Sequence, residues 1–172
     1  YMHKSVSLKL ELAEKCVDKI LTASEESCRI KNRKKIQIVG HGIDTDLFKP
    51  KKITKDGIFK ILCVGRISPI KNQKTLIEAF DILINQKNIK NIKLKIVGSA
   101  LDRSEKEYFF KLKRLVLEKR LEDSIEFAGG APYTELPSYY QNADLSISLS
   151  NTGSLDKAAL EAMSTECPVL TC

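Results

Sequence analysis

Short apolar runs alternate with longer amphipathic stretches along almost the whole chain, and this alternation restricts the possible folds more than any other feature. The runs at 19–22, 36–39, 60–64, 94–97, 125–128, 145–149 and 169–171 are β-branched or leucine-rich and have the length of strands. Between them, Leu76, Ile77, Phe80, Leu83 and Ile84 recur at the i, i+3, i+4, i+7 spacing of one buried helical face. A further helix is expected from Ser104-Glu105-Lys106-Glu107, where Ser104 and Glu107 fit a capping box, through Phe110, Leu112, Leu115 and Val116 to about Leu121. Shorter helices fit 135–142 and 155–164, the second with Ser154 as N-cap. Several strands are apolar at nearly every position, as strands buried on both faces must be. Strand and helix in turn therefore predict the α/β class, a doubly wound parallel sheet covered by helices.

At 172 residues and 42% apolar composition the chain can bury a sizeable core, which excludes a disordered tail. No apolar run approaches the roughly 20 residues of a membrane-spanning helix. An excess of 29 Lys and Arg over 22 Asp and Glu gives a charge of +7, which favours anionic partners without choosing among nucleotide, nucleic acid and acidic membrane. Cys16, Cys28, Cys63, Cys167 and Cys172 are odd in number and scattered, with no CxxC pair, and the start carries no signal-peptide pattern. Free, mostly buried thiols in a reducing compartment are expected, rather than a disulfide framework or a zinc site. The helix-like opening at Tyr1-Met2-His3 and the apolar ending Pro168-Val169-Leu170-Thr171-Cys172 read as the ends of a piece from a longer protein. The polar, basic segment 49–57, with Pro50 and Gly57, reads as a linker dividing residues 1–48 from a larger α/β unit at 58–172.

Ligands of open α/β sheets sit beyond the carboxyl ends of the strands, so chemistry is sought just after each apolar run. Gly65-Arg66-Ile67-Ser68-Pro69-Ile70-Lys71-Asn72 follows one strand and precedes a helix, placing two cations five residues apart. Arg66 offers a planar fork of donors, Lys71 a compact charge, and the helix its unpaired N–H groups, which together suit a phosphate. Two solvated loop cations fit the same spacing. The loop Ser150-Asn151-Thr152-Gly153-Ser154-Leu155-Asp156-Lys157 is small and polar, and its amides can hold anionic or hydroxyl groups. Glu161, between Leu160 and Ala162, is a carboxylate among apolar neighbours that needs a partner: ribose hydroxyls and a structural ion pair both qualify. Gly98 and Gly129-Gly130 mark two further strand-end turns, each weak alone. His3 reads as a surface side chain and His41 as a hydrogen-bonding turn residue. The sequence offers no nucleophile triad and no metal-ligand cluster.

Taken in order, Val64-Gly65-Arg66 to Lys71-Asn72, Leu76-Ile77-Glu78-Ala79-Phe80, Leu94-Lys95-Ile96-Val97-Gly98, Ile125-Glu126-Phe127-Ala128-Gly129, Tyr140-Gln141-Asn142-Ala143-Asp144-Leu145, Leu160-Glu161-Ala162-Met163 and Cys167-Pro168-Val169 resemble the donor half of family 4 glycosyltransferases. Asp18-Lys19-Ile20-Leu21-Thr22-Ala23-Ser24-Glu25 and Gly40-His41-Gly42-Ile43-Asp44-Thr45-Asp46-Leu47-Phe48 resemble that family's passage from acceptor to donor domain. The resemblance spans nearly the whole chain and keeps its order. It implies the GT-B fold, two Rossmann-like domains facing across a cleft. Residues 1–48 would be a remnant of the acceptor domain and 58–172 an incomplete nucleotide-sugar-binding domain.

The resemblance also implies transfer of a sugar from a nucleoside-diphosphate sugar to an acceptor, a glycan, lipid or small molecule, with retention and without a metal. The nucleotide-sugar is then a co-substrate, and no cofactor is expected. By the same likeness Arg66 and Lys71 are the catalytic cations on the diphosphate, Gly65 lies against them, Glu161 binds the ribose, Gly129 and Gly130 lie by the base, and Gly153, Ser154 and Leu155 lie by the sugar and phosphates. A cytoplasmic location is implied, with peripheral contact at the inner face of the membrane open to the acceptor side. Two glutamates with seven residues between them are usual in the family; the first falls here on Gly153, within a Gly-Ser-Leu-Asp-Lys pattern that a subset of the family shares. Glu166 replaces a small glycine step, and His41 stands where asparagine is common. The competing expectation is a non-catalytic basic α/β module that binds anionic ligands or nucleic acid through Lys31, Arg33, Lys34, Lys35 and the 49–55 tract, although no recognition motif supports it. A phosphorylase relative would need a pyridoxal-phosphate lysine outside this sequence.

Overall fold

The computed structural model describes residues 8–25, 27–51, 53–54, 56–150 and 156–172. The chain divides into two units, residues 1–42 with 152–157 and residues 43–151 with 158–172. In the smaller unit, α1 (Leu8–Cys16) precedes β1 (Ile20–Thr22) and β2 (Ile36–Ile38), which pair in parallel from Ile20 opposite Ile36 to Thr22 opposite Ile38. Ile20, Cys28 and Ile30 form its buried apolar cluster, with Leu10 and Ile36 packed on them. Lys35 is fixed by two carbonyls: its Nζ donates to Glu14 O at 2.8 Å and to Val17 O at 2.9 Å, at the end of α1, where helix carbonyls otherwise lack partners.

The larger unit is a five-stranded parallel sheet built from β3 (Phe59–Val64), β4 (Ile92–Val97), β5 (Ile125–Gly129), β6 (Leu145–Ser148) and β7 (Val169–Thr171), in the order β5-β4-β3-β6-β7. All seven strands lie within a residue or two of the expected runs. Four helices connect those of the larger sheet: α2 (Gln73–Asp81), α3 (Arg103–Glu118), α4 (Leu136–Gln141) and α5 (Lys157–Ser164). Successive side chains of a strand face opposite sides. On β3, Ile61 and Cys63 join one core with Leu76, Ile77 and Phe80 of α2 and Leu112 and Val116 of α3. Leu62 joins the other with Tyr140 of α4 and Ala162 of α5. Both faces of the central strand are thus buried, which is why its run is apolar at consecutive positions. Asp144 fixes the start of β6 against β3: its Oδ2 accepts from Lys60 N at 2.9 Å and its own N–H donates to Lys60 O at 2.8 Å.

One local expectation needs correction. The N-cap of α3 is Asp102, not Ser104: Asp102 Oδ1 accepts from Glu105 N at 2.9 Å, and Glu105 Oε2 accepts in return from Leu101 N at 2.8 Å. Glu107 pairs instead with Arg103 along the exposed side of the helix. The larger unit starts at Ile43. Asp44 Oδ1 accepts from Asp46 N and Leu47 N, and Asp44 O accepts from Phe48 N at 2.8 Å. This turn delivers Phe48, fully buried, against the rings of Tyr133 and Tyr140 at centroid distances of 5.2 and 6.0 Å. Cys28, Cys63 and Cys167 are buried and Cys16 and Cys172 exposed. No helix among the described residues is long and apolar enough to cross a membrane.

Phe48→Ala removes a fully buried ring and is expected to destabilise the protein by about 3–5 kcal/mol, read from urea unfolding. At the far ends of α2 and α3, Asp81 accepts from Asn85 at 2.6 Å and lies 2.9 Å from Lys119 Nζ. The Asn85 hydrogen bond, and then Lys119, hold the Asp81 carboxyl below its ordinary value of 3.8, while Asp81 raises Lys119 above its ordinary 10.5. A depressed carboxylate contributes stability above its unfolded value and loses it as pH falls through the folded one; a raised lysine loses its contribution only as pH climbs through its folded value. Asp81→Asn should therefore lower the urea midpoint across the neutral range, with the gap from wild type closing below about pH 4.

Candidate functional site

In a parallel sheet ordered β5-β4-β3-β6-β7 the chain runs outward from β3 to one edge, then returns to lay β6 on the other side of β3. The order of the sheet thus reverses between β3 and β6, and open α/β sheets take their ligands beyond the carboxyl ends of the strands at such a reversal. The loop after β3 carries Gly65, Arg66 and Lys71. The chain closes a short 3-10 turn at Pro69–Lys71, and Asn72 then takes a left-handed conformation, φ 54°, to enter α2. Asparagine tolerates that region better than most residues. Gln73, fully buried, donates from Nε2 to Arg66 O at 2.9 Å and so fixes the loop backbone. Ser68 Oγ and Gln73 Oε1 in the same turn are buried without a hydrogen-bond partner among the described residues, a cost that native structures seldom carry.

The loops after β3, β4 and β5 are packed side by side. Gly65 N donates to Val97 O at 2.9 Å, Ile67 N to Ser99 O at 3.0 Å and Gly98 N to Gly129 O at 2.7 Å. The glycine that this packing makes indispensable is Gly98, a position that looked weak in the sequence: a Cβ there would sit 1.9 Å from Gly65 O. Gly65 is less confined, since a Cβ would meet only the Lys71 side chain, with Cε at 3.5 Å. That contact nevertheless locates Lys71, whose aliphatic chain folds back over the strand-end glycine. A Cβ on Gly130 would meet Ser99 Oγ at 2.4 Å, so the Gly129-Gly130 turn is packed on the β4 loop.

Arg66 has a partner that sequence reasoning missed. Its Nε lies 3.1 Å from Glu105 Oε1, and the two side chains differ sharply in exposure, 51% for Arg66 against 6% for Glu105. The available signal was topological: β3 and β4 pair in register, with Val64 opposite Val97, so the loop that follows Val97 and opens α3 must lie beside Arg66.

Glu161 occupies the second turn of α5 and is buried. Tyr140, fully buried on α4, donates its phenol to Glu161 Oε2 at 3.0 Å. Sequence reasoning quoted Tyr140 only as part of a motif, although a phenol is a natural donor to an apolar-set carboxylate. Gly153, Ser154 and Leu155, with the expected N-cap at Ser154, lie outside the described residues, as does His3. His41, expected to hydrogen-bond within its turn, has Nε2 buried without a partner among the described residues. No group of three or more His, Cys, Asp and Glu among the described residues is placed to hold a metal ion.

Two other surfaces compete for attention. A groove of about 530 Å³ opens at the amino-terminal half of the larger sheet, lined by Lys60, Leu62, Lys95, Glu126, Tyr139 and Asn142. Within it Lys95 Nζ lies 2.9 Å from Glu126 and 5.9 Å over the Tyr139 ring, and the groove lies at the opposite strand ends from the loops. The proposed nucleic-acid cations of the smaller unit are partly spent, since Lys35 is held by α1 and Arg33 donates to Cys28 O at 3.1 Å.

A family model described as "Glycosyl transferases group 1" matches residues 44–172. The chain belongs to this family. A Bacillus subtilis poly(glycerol-phosphate) alpha-glucosyltransferase is 32% identical over 114 residues, 66% of this chain and 15% of the relative. A D-inositol 3-phosphate glycosyltransferase from Pseudarthrobacter chlorophenolicus is 27% identical over 144 residues, 79% of this chain and 33% of the relative. The chain thus spans a third or less of these curated relatives. Among solved structures, Anabaena HepE in complex with UDP and glucose aligns with TM-score 0.80 at 21% identity, over 94% of this chain and 46% of that one. The C-terminal domain of LpcC, a glycosyl transferase group 1 family protein of Francisella tularensis, aligns with TM-score 0.66 at 27% identity, over 76% of this chain and 70% of that one. The Rossmann-like α/β architecture expected from the sequence is the architecture these glycosyltransferases have.

Because Gly98 meets Gly65 backbone to backbone, Gly98→Ala cannot be absorbed by a side-chain rotation. It is expected to cost about 3 kcal/mol or more in urea unfolding, whereas Gly42→Ala, with open space around it, should change the midpoint little.

Proposed function

We propose that the chain supplies the nucleotide-sugar-binding half of a glycosyltransferase that transfers a sugar, with retention, from a nucleoside-diphosphate sugar to a glycan, lipid or small-molecule acceptor. The observation that carries this reading is the loop after β3. A half-exposed guanidinium follows Gly65, the Lys71 chain folds over that glycine, and α2 opens behind them, all at the strand ends where the sheet order reverses. Such a turn is suited to a diphosphate. In the transfer, the bond from the anomeric carbon to the diphosphate oxygen breaks with its electron pair leaving on the diphosphate, the acceptor oxygen bonds that carbon, and the acceptor hydroxyl proton passes to the departing diphosphate. Negative charge grows on the departing diphosphate as the bond lengthens, so Arg66 and Lys71 would interact more strongly with the transition state than with the bound donor. No cofactor or metal enters this proposal.

Glu161, oriented by Tyr140, is suited to accept hydrogen bonds from ribose hydroxyls, and the Gly129-Gly130 turn would border the base. Gly153, Ser154 and Leu155 would complete the sugar and phosphate contacts. The first donors to test are UDP-sugars, since HepE has been crystallised with UDP and with UDP-glucose. Residues 1–48 would then belong to the acceptor side, and the reaction to the cytoplasm, at or near the inner face of the membrane.

Calorimetric titration of the full-length protein with UDP, GDP and ADP tests the reading. One of them is expected to bind, and Arg66→Ala and Lys71→Ala are each expected to weaken it by about tenfold or more. Unchanged binding in both variants, or salt-sensitive nucleic-acid binding that survives them, would support the basic-module alternative instead.

A further inference from the structure

We infer that Glu105 is the positioning residue for Arg66, holding its guanidinium in the direction that a donor diphosphate requires; this rests on the nucleotide-sugar reading of the site. Glu105 is the third residue of α3, and both carboxylate oxygens are engaged: Oε2 accepts from Leu101 N at 2.8 Å, and Oε1 lies 3.1 Å from Arg66 Nε. The other arginine–glutamate contacts here are of a different kind. Arg103–Glu107 and Arg114–Glu118 join residues one turn apart on the exposed side of α3, where such pairs contribute little. Glu105 comes from a different crossover than Arg66 and is almost wholly buried, and a buried carboxylate is costly without a charged partner. Its position is rigidly defined, because Asp102 caps the helix through the Glu105 N–H, the contact that chiefly keeps the Asp102 carboxyl below its ordinary value.

A long side chain that is half exposed otherwise samples many rotamers and would have to be ordered by the ligand. Anchoring it through Nε fixes the guanidinium plane and leaves the two terminal nitrogens to meet phosphate oxygens as a fork. Glu105 also has an opposing effect, since its charge repels an incoming anion. Orientation should dominate, because repulsion acts over a longer distance and beside a solvent-exposed cation, where it is screened, whereas a misdirected fork loses its paired hydrogen bonds.

The test is a double-mutant cycle on the full-length protein, read as affinity for whichever of UDP, GDP and ADP the wild type binds. Glu105→Gln keeps the size and an acceptor for Leu101 N but removes the charge facing Arg66. It should weaken binding by about tenfold in the wild-type background and less than twofold in Arg66→Ala. A role confined to folding of α3 would give the same factor in both backgrounds, and tighter binding by Glu105→Gln would make Glu105 an inhibitor of the site; either overturns the inference. Should Glu105→Gln not fold, Glu105→Asp, which keeps the charge but withdraws it by a methylene, is expected to show the same dependence on Arg66. If the wild type binds none of the three nucleotides, the nucleotide-sugar reading itself fails and this inference with it. If the wild type binds and Arg66→Ala weakens it while Glu105→Gln does not, only the inference fails.

Discussion

The position of every candidate ligand-binding group depends on the reversal of strand order between β3 and β6. Three loops leave the sheet on one side of β3, those after β3, β4 and β5, and their backbones must lie against one another because the strands that feed them are adjacent and parallel. Gly98 makes this packing possible, since no side chain fits between its Cα and the Gly65 carbonyl. The crossover to β6 returns the chain to the other side of β3, where α5 carries Glu161. A parallel sheet without that reversal would spread the same residues along one edge.

Burial and exposure are divided across the site in a way that suits binding. Glu161, Tyr140, Glu105 and Gln73 are buried and hydrogen-bonded to one another or to the loops they support. Arg66, the group argued to meet the diphosphate, is half exposed. Hydrogen-bonded partners lie beneath and the half-exposed cation above, an arrangement that would spare the proposed site the ordering of its own side chains when a ligand arrives.

The central strand β3 was legible in the sequence because burial on both faces leaves consecutive apolar positions, and the helices because α2 and α3 each bury one face. The cap of α3 was misassigned because Asp102 to Glu105 and Ser104 to Glu107 fit the same capping rule; the register is decided by a tertiary contact, the demand of Arg66 for Glu105, which local spacing cannot contain. The 49–57 segment has linker composition, and just ahead of it Phe48 is anchored between Tyr133 and Tyr140, residues far along the chain, a contact that local spacing does not contain. Arg66, Lys71 and Glu161 could be picked out as strand-end and helix residues, whereas their supports, Glu105 and Tyr140, become visible only when neighbouring loops are brought together.

The most direct test of the account is a crystal structure of the full-length protein with a bound nucleoside diphosphate. Density for the two phosphates against the Gly65-Arg66 loop, with the ribose toward Glu161, is the predicted result. Phosphate density in the groove at the opposite strand ends, beside Lys95 and Tyr139, would contradict it.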